Sequence, residues 1–315
     1  MLDGKRTLVG IACGVGAGAL WGLVFLAPEL VSAFAPLQLT IGRYLCYGLL
    51  SVILIAPRWR KLTDRLGRPE WLALVWLSLA GNTLYYVLLS SAVQIGGIAM
   101  TSLVIGFLPV VVTIVGSRDQ GAVPLRRLLP SLLLSVVGAV CIGWQALAMP
   151  GDRSIAAQVV GLLCAVGALV SWTSFAVGNS RWLARLSHVS VQDWNLLTGV
   201  VTGAQSLVLV PLASILYGSD HSAAAWAQFA TVSAGVAVLA SILGNALWNE
   251  MSRLLPLTLV GQMILFETLF ALTYGFLWER RFPAPLEGAA FMLVVLSVMS
   301  CISVHRRPAV TVTSA

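Results

Sequence analysis

Ten apolar runs, each long enough to cross a bilayer and parted only by short polar stretches, leave this chain almost no residues from which to build a soluble core. They centre on residues 7–27, 36–56, 71–93, 97–117, 127–147, 158–180, 191–217, 226–249, 254–277 and 285–304. A spanning helix needs about 20 such residues. The chain is 58% hydrophobic and 10% charged, where soluble proteins are about 25% charged, and it reads as an all-α integral membrane protein. The first run is as long as a full span and others follow directly, so it is expected to stay in the membrane and not to be cleaved as a signal peptide. Cys13, Cys46, Cys141, Cys164 and Cys301 fall singly inside runs without CxxC spacing, as small buried hydrophobes do; neither a disulfide framework nor a thiolate metal site is implied.

The net charge of +7 is accounted for by its placement. With ten spans and a cytoplasmic N-terminus, the inner segments collect Lys5, Arg6, Arg58, Arg60, Lys61, Arg65, Arg68, Arg118, Arg126, Arg127, Arg181, Arg185, Arg253, Arg306 and Arg307. The outer segments hold only Arg153, Arg280 and Arg281, and Arg43 lies within a run. The positive-inside rule then puts both termini in the cytoplasm. Basic excess is an orientation signal here, and a nucleic-acid partner is discounted.

Self-comparison divides the chain in two. An offset of 154 lays residues 35–57 over 189–211, with Gln38 on Gln192 and Pro57 on Pro211. SLAGNTLYY at 78–86 matches SILGNALWN at 241–249, and FLPVVVTIVG at 107–116 matches FETLFALTYG at 266–275, with Pro124 meeting Pro283. The order of the matches is preserved. Because five spans per copy is an odd number, the second copy enters the membrane in the opposite sense, as in inverted-repeat transporters. The expected organisation is a first five-helix repeat at 1–148, a connecting loop at 149–157, an inverted second repeat at 158–304 and a cytoplasmic tail at 305–315.

Four glycines at four-residue spacing, Gly10, Gly14, Gly18 and Gly22, cut away one face of the first run so that other helices can approach closely. Trp21 stands beside that face, packed between helices or turned to a cavity, and Trp172 is its expected counterpart. In the two Gly-Asn motifs, Asn82 shares a helical face with Tyr85 and Tyr86, and Asn245 with Trp248 and Asn249. Amide and aromatic groups on one face suit an inward cavity between the repeats, or else hydrogen bonds that hold helices together. Arg43, with Tyr44 and Tyr47 adjoining, carries a charge whose insertion costs about 2.5 kcal/mol or more. It either snorkels outward or meets a substrate carboxylate. Glu267 is the deepest acid and either pairs with Arg43, carries a proton or makes a fixed structural contact. Gln262 and Gln94 are further candidates.

The whole arrangement resembles the drug/metabolite transporter superfamily, and within it the EamA-type ten-helix transporters. The resemblance is carried by GALWGLVFLAPELV in the first run, Gly42-Arg43-Tyr44 in the second, FLPVVVTIVG in the fourth and FETLFALTYGFLWERRFPAPLEGAAF across the ninth and tenth. Glu267 matches the acid of that family's Glu-Pro pair, with Thr268 in place of the proline, and Glu279 the acid after the ninth span. WTSFAVGNSRWLARL, LLTG and ALWN look like the aromatic amino-acid exporter branch. The resemblance implies a cavity lined by spans 1–4 and 6–9, with spans 5 and 10 as outer buttresses.

An apolar, π-rich chamber suits aromatic or aliphatic side chains, with amides for a polar head group. Phosphorylated substrates would call for several buried basic residues, and only Arg43 is available. His188, His221 and His305 lie in loops or at the chain end, and there is no HExxH, GxSxG, P-loop or paired acid on one helix, so no enzyme, metal or cofactor is implied. The expectation is a cytoplasmic-membrane exporter or exchanger of amino acids, apolar and aromatic ones favoured. A broad multidrug or metabolite exporter of the same fold is the alternative, ahead of a channel or a membrane scaffold. The lipid bilayer and a small solute are the partners, and the oligomeric state is left open.

Overall fold

A computed structural model describes residues 4–92, 95, 101, 104–119, 122–147, 155–218, 220–280, 282–283 and 285–306. Gln94, most of the connecting segment 149–157 and the tail from 307 lie outside these, as do the side chains of Glu29 and Glu279. Among the described residues the fold is entirely helical. In chain order α1 is Gly4–Gly22, α2 Pro36–Ile55, α3 Arg68–Ser78, α4 Leu84–Ser91, α5 Leu108–Gly116, α6 Leu125–Leu147 and α7 Ile155–Arg185. There follow α8 Val191–Leu216, α9 Ala223–Val236, α10 Asn245–Leu254, α11 Leu257–Met263, α12 Leu265–Glu279 and α13 Pro285–Arg306. Seven continuous helical stretches among the described residues are long and apolar enough to cross a membrane. The runs at 7–27, 97–117 and 127–147 fall on α1, on α5 with residues outside the description, and on α6.

Local chemistry sets the ends. Ser190 and Ser222 accept the backbone N–H groups of Asp193 and Ala225 at 3.0 and 3.2 Å and so start α8 and α9, as N-cap hydroxyls do. Arg280 ends α12 in the left-handed conformation at φ 51°. The two Gly-Asn motifs share an irregularity that periodicity does not announce. α3 runs into α4 through a π-helical turn at Leu79–Thr83, and α9 runs into α10 through another at Ala237–Gly244. The aligned prolines differ: Pro57 sits in the tight turn closing α2, whereas Pro211 lies inside α8.

The exterior is apolar and the interior partly polar, the reverse of a soluble protein. Val208 and Ile215 are 76% and 82% exposed, while Arg43 and Gln262 are 7% and 0%. α2 lies along α8, α6 along α13 and α5 against α11. α1 packs on α10, α12 and the second π turn, while α7 packs on α4, α5, α10 and the first π turn. α2 and α8 meet at Gly48 and Gly203, where a Cβ on either would come 2.7 Å from the other's Cα. At one end of the bundle Gly10 of α1 meets Leu254 and Leu255, and His305 of α13 meets Thr258 at 2.8 Å, so both described chain ends lie there.

Candidate functional site

The glycine face of α1 is filled by three helices in succession. Added Cβ atoms would lie 2.8 Å from Met251 of α10 and 3.1 Å from Met263 of α11 at Gly14, and 2.6 Å from Phe266 and 2.8 Å from Phe270 of α12 at Gly18 and Gly22. At Gly18 the obstruction includes backbone, with Phe266 C and Glu267 N at 2.8 and 2.9 Å, so α12 rides directly on α1. This close seating turns Trp21 sideways into the centre of the bundle. Its Nε1 donates to Ala240 O at 3.1 Å, a carbonyl in the second π turn.

Around Trp21 the aromatic residues expected to share a chamber do converge. Its ring centroid is 6.4 Å from Trp172 and 5.0 Å from Trp248, and Trp172 and Trp248 are 5.5 Å apart. Tyr85 adds a fourth ring 6.5 Å from Trp172 and joins Tyr86 at 5.5 Å. α1, α4, α7 and α10 each supply a ring. The rings touch one another and form a closed cluster, with Trp21, Trp172 and Trp248 at 9%, 7% and 2% exposure. Trp248 Nε1 has no hydrogen-bond partner among the described residues.

Trp21 and Trp172 are in direct ring contact. The glycine of the second motif, Gly244, is covered by the Trp21 indole, and the glycine of the first, Gly81, by the ring of Phe175. Phe175 therefore stands to the first Gly-Asn pair as Trp21 stands to the second. The offset of 154 that aligns the second and seventh runs also carries 21 onto 175.

Arg43 does not snorkel. Its Nε donates to Ser241 Oγ at 3.0 Å and its Nη1 to the Tyr86 hydroxyl. Its guanidinium carbon is 5.2 Å from the ring centroids of both Tyr44 and Tyr86, within cation–π range. Glu267 lies within electrostatic reach of Arg43 and Tyr85, yet forms no ion pair among the described residues. Among the described residues the only ion pairs are Arg58 with Asp193 at 3.1 Å and Arg181 with Asp119 at 2.7 Å, both at the end of the bundle that holds the chain ends.

Other expected site residues are drawn into inter-helix bonds. Asn82 Nδ2 donates to Thr202 Oγ1 at 3.1 Å, and Asn249 Oδ1 accepts from Asn179 Nδ2 at 2.8 Å. The Tyr47 hydroxyl donates to Asn195 at 2.6–2.7 Å, with the half-buried Asn245 beside it. Gln262 lies away from the rings: its Nε2 donates to Thr113 Oγ1 at 3.3 Å and its Oε1 accepts from Ser297 Oγ at 3.0 Å. Ser241, Asn195 and Asn179 were not singled out from sequence. Only Ser241 carried a signal, as the serine that opens SILGN where Ser78 opens SLAGN. Chemically the centre offers a flat aromatic surface with a cation on one side and an acid nearby. It presents no nucleophile–base pair, and among the described residues no group of three or more His, Cys, Asp or Glu could hold a metal.

A family model described as "EamA-like transporter family" matches residues 8–144. The inner membrane protein YtfF of Escherichia coli (strain K12) is 30% identical over 316 residues, covering 95% of this chain and 96% of that protein. A protein of known crystal structure shares the fold with a TM-score of 0.73 at 19% sequence identity, over 96% of this chain and 99% of the other.

Proposed function

This chain belongs to the EamA-like transporter family, within the drug/metabolite transporter superfamily, and we propose that it exports or exchanges amino acids across the cytoplasmic membrane by alternating access, apolar and aromatic ones first. The observation that carries this reading is the meeting of Trp21, Tyr85, Trp172 and Trp248 from four different helices. Rings that touch across helix boundaries separate when the helices rock apart, and the opened surface is apolar and π-rich, as an apolar side chain requires.

The two repeats are residues 1–148 and 158–304, five helices each and inverted. Their support is the reciprocal packing: α2 on α8, α6 on α13, α5 on α11, and each repeat's first helix on the π turn of the other. Both termini are cytoplasmic, a reading supported by the basic residues gathered at their end of the bundle; the relative YtfF is an inner membrane protein. Membrane transport, and not catalysis, is the activity, with lipid and a small solute as partners.

Counterflow of labelled amino acids into proteoliposomes tests the reading directly. Exchange of leucine or phenylalanine against itself is expected. Exchange of organic cations or sugars alone would favour the broad multidrug or metabolite reading. Flux that does not saturate would indicate a channel, and no flux of any solute a scaffold.

A further inference from the structure

Donors outnumber acceptors around Arg43. Two of the five guanidinium N–H groups are engaged, by Ser241 and Tyr86, which leaves Nη2 without a bond among the described residues. The guanidinium has no ion-pair partner among them. The Tyr44 hydroxyl, on a residue only 1% exposed and with its ring beneath the same guanidinium, makes no hydrogen bond among the described residues either. A buried hydroxyl left unpaired costs about 1–3 kcal/mol, and a buried cation without a counter-ion costs more. One guest removes both deficits: a carboxylate, which accepts two parallel N–H bonds from an arginine and one more from a phenol. A lipophilic cation removes neither. On α12, Glu267 has the opposite deficiency. Its half-buried carboxylate has no hydrogen-bond or ion-pair partner among the described residues, although it lies within electrostatic reach of Arg43 and Tyr85.

We propose that Arg43 and Tyr44, with the guanidinium held in place by Ser241 and Tyr86, form the receptor for a substrate's free carboxylate, that Glu267 receives its ammonium, and that the transporter thereby selects zwitterionic amino acids over amines that lack the carboxylate. The proposal rests on the transporter assignment and deepens it. The aromatic cluster supplies affinity for the side chain and is indifferent to the head group, while the Arg43–Tyr44 pair decides which head groups enter. Ser241 is a positioning residue: it touches Arg43 Nε and leaves Nη2 free.

The test compares phenylalanine, phenylalanine amide and phenethylamine as counterflow substrates in proteoliposomes, with the wild type and with Tyr44→Phe, Arg43→Lys and Ser241→Ala. Tyr44→Phe removes only an unpartnered hydroxyl, so the protein is expected to purify as a single species. Its KM for phenylalanine should rise about tenfold, as loss of a hydrogen bond to a charged group predicts, with maximal flux kept. Arg43→Lys loses the bidentate geometry and should raise KM further, and Ser241→Ala should raise KM without altering the preference for the acid over the amide. In the wild type the amide and the amine should compete at least about a hundredfold more weakly than the acid. Equal exchange of acid, amide and amine, or an unchanged KM in Tyr44→Phe, overturns the carboxylate receptor while the transporter assignment stands. Absence of counterflow for every solute overturns the assignment itself.

Discussion

Trp21 shows how one side chain can serve both packing and function. Its indole N–H is committed to Ala240 O, and its ring faces Trp172 and Trp248. Replacement by phenylalanine keeps an apolar surface and loses the bond, so we expect transport to persist with stability in detergent lowered by about 1 kcal/mol, seen as an earlier thermal transition. Alanine should abolish transport while membrane insertion is kept; full transport by the alanine variant would return the ring to packing alone. Glu267 has a separate test. Glu267→Gln is isosteric, and if the carboxyl carries a proton in exchange, a pH gradient should no longer drive accumulation, while counterflow persists at saturating phenylalanine with the KM raised by loss of the charge that meets the ammonium. Unchanged gradient-driven accumulation would exclude that role. Chemistry at this scale was partly legible in the sequence. Rings at helical spacing from a Gly-Asn pair could be read, because burial of rings follows from periodicity. The use of Asn249 by Asn179, and of Gln262 by Ser297 and Thr113, could not be, since an amide in a span looks the same whether it faces a cavity or another helix.

Helices in this protein approach one another to the limit that their side chains allow. α1 offers Gly10, Gly14, Gly18 and Gly22 to α10, α11 and α12, and at Gly18 the neighbour is backbone that cannot rotate away. Gly18→Leu must therefore part α1 from α12. We expect transport to be lost and stability in detergent to fall by about 3 kcal/mol, the upper end for overpacking. Gly235 on α9 provides the control: among the described residues nothing lies within 4 Å of a Cβ added there. Gly235→Ala should leave transport intact and, by removing a helix-interior glycine, stabilise by up to about 1 kcal/mol. A thermal-shift series read beside counterflow rates checks both, and equal behaviour of the two variants would refute the close-packing account. The glycine stripe was legible because four-residue spacing marks a single face. The π turns at Leu79–Thr83 and Ala237–Gly244 were not, because these runs are apolar nearly all round and leave no face periodicity for an extra residue to interrupt. They are where α1 and α7 find exposed carbonyls, Trp21 bonding to Ala240 and Ser171 to Ala80 at 2.8 Å.

The bundle as a whole has one end at which the two proposed repeats are joined by charge. Arg58 and Asp119 belong to residues 1–148, their partners Asp193 and Arg181 to residues 158–304. Ordered matches along the chain are the basis for proposing two repeats, but which loops touch between them could not be read from those matches, since neither ion pair joins aligned positions. Arg181 and Asp119 keep 49% and 38% of their side chains in solvent, where such a pair is worth about 1 kcal/mol or less. That is weak enough to break in every transport cycle and yet sufficient to bias the end toward closure. If the repeats rock against each other, this contact must open and close at each turnover. A cysteine pair at positions 119 and 181, in a background from which the five native thiols, none of them in a disulfide, have been removed, can be joined by a short thiol-reactive cross-linker. Cross-linking should arrest counterflow, and a cleavable linker should restore it on reduction. Full-rate exchange by the cross-linked protein would mean that this end stays shut throughout and that transport proceeds without rocking. The charge swap Asp119→Arg with Arg181→Asp should behave as the wild type. Asp119→Arg alone sets two cations face to face and should favour the form open at this end, detected as faster alkylation of cysteines introduced beside Gly14.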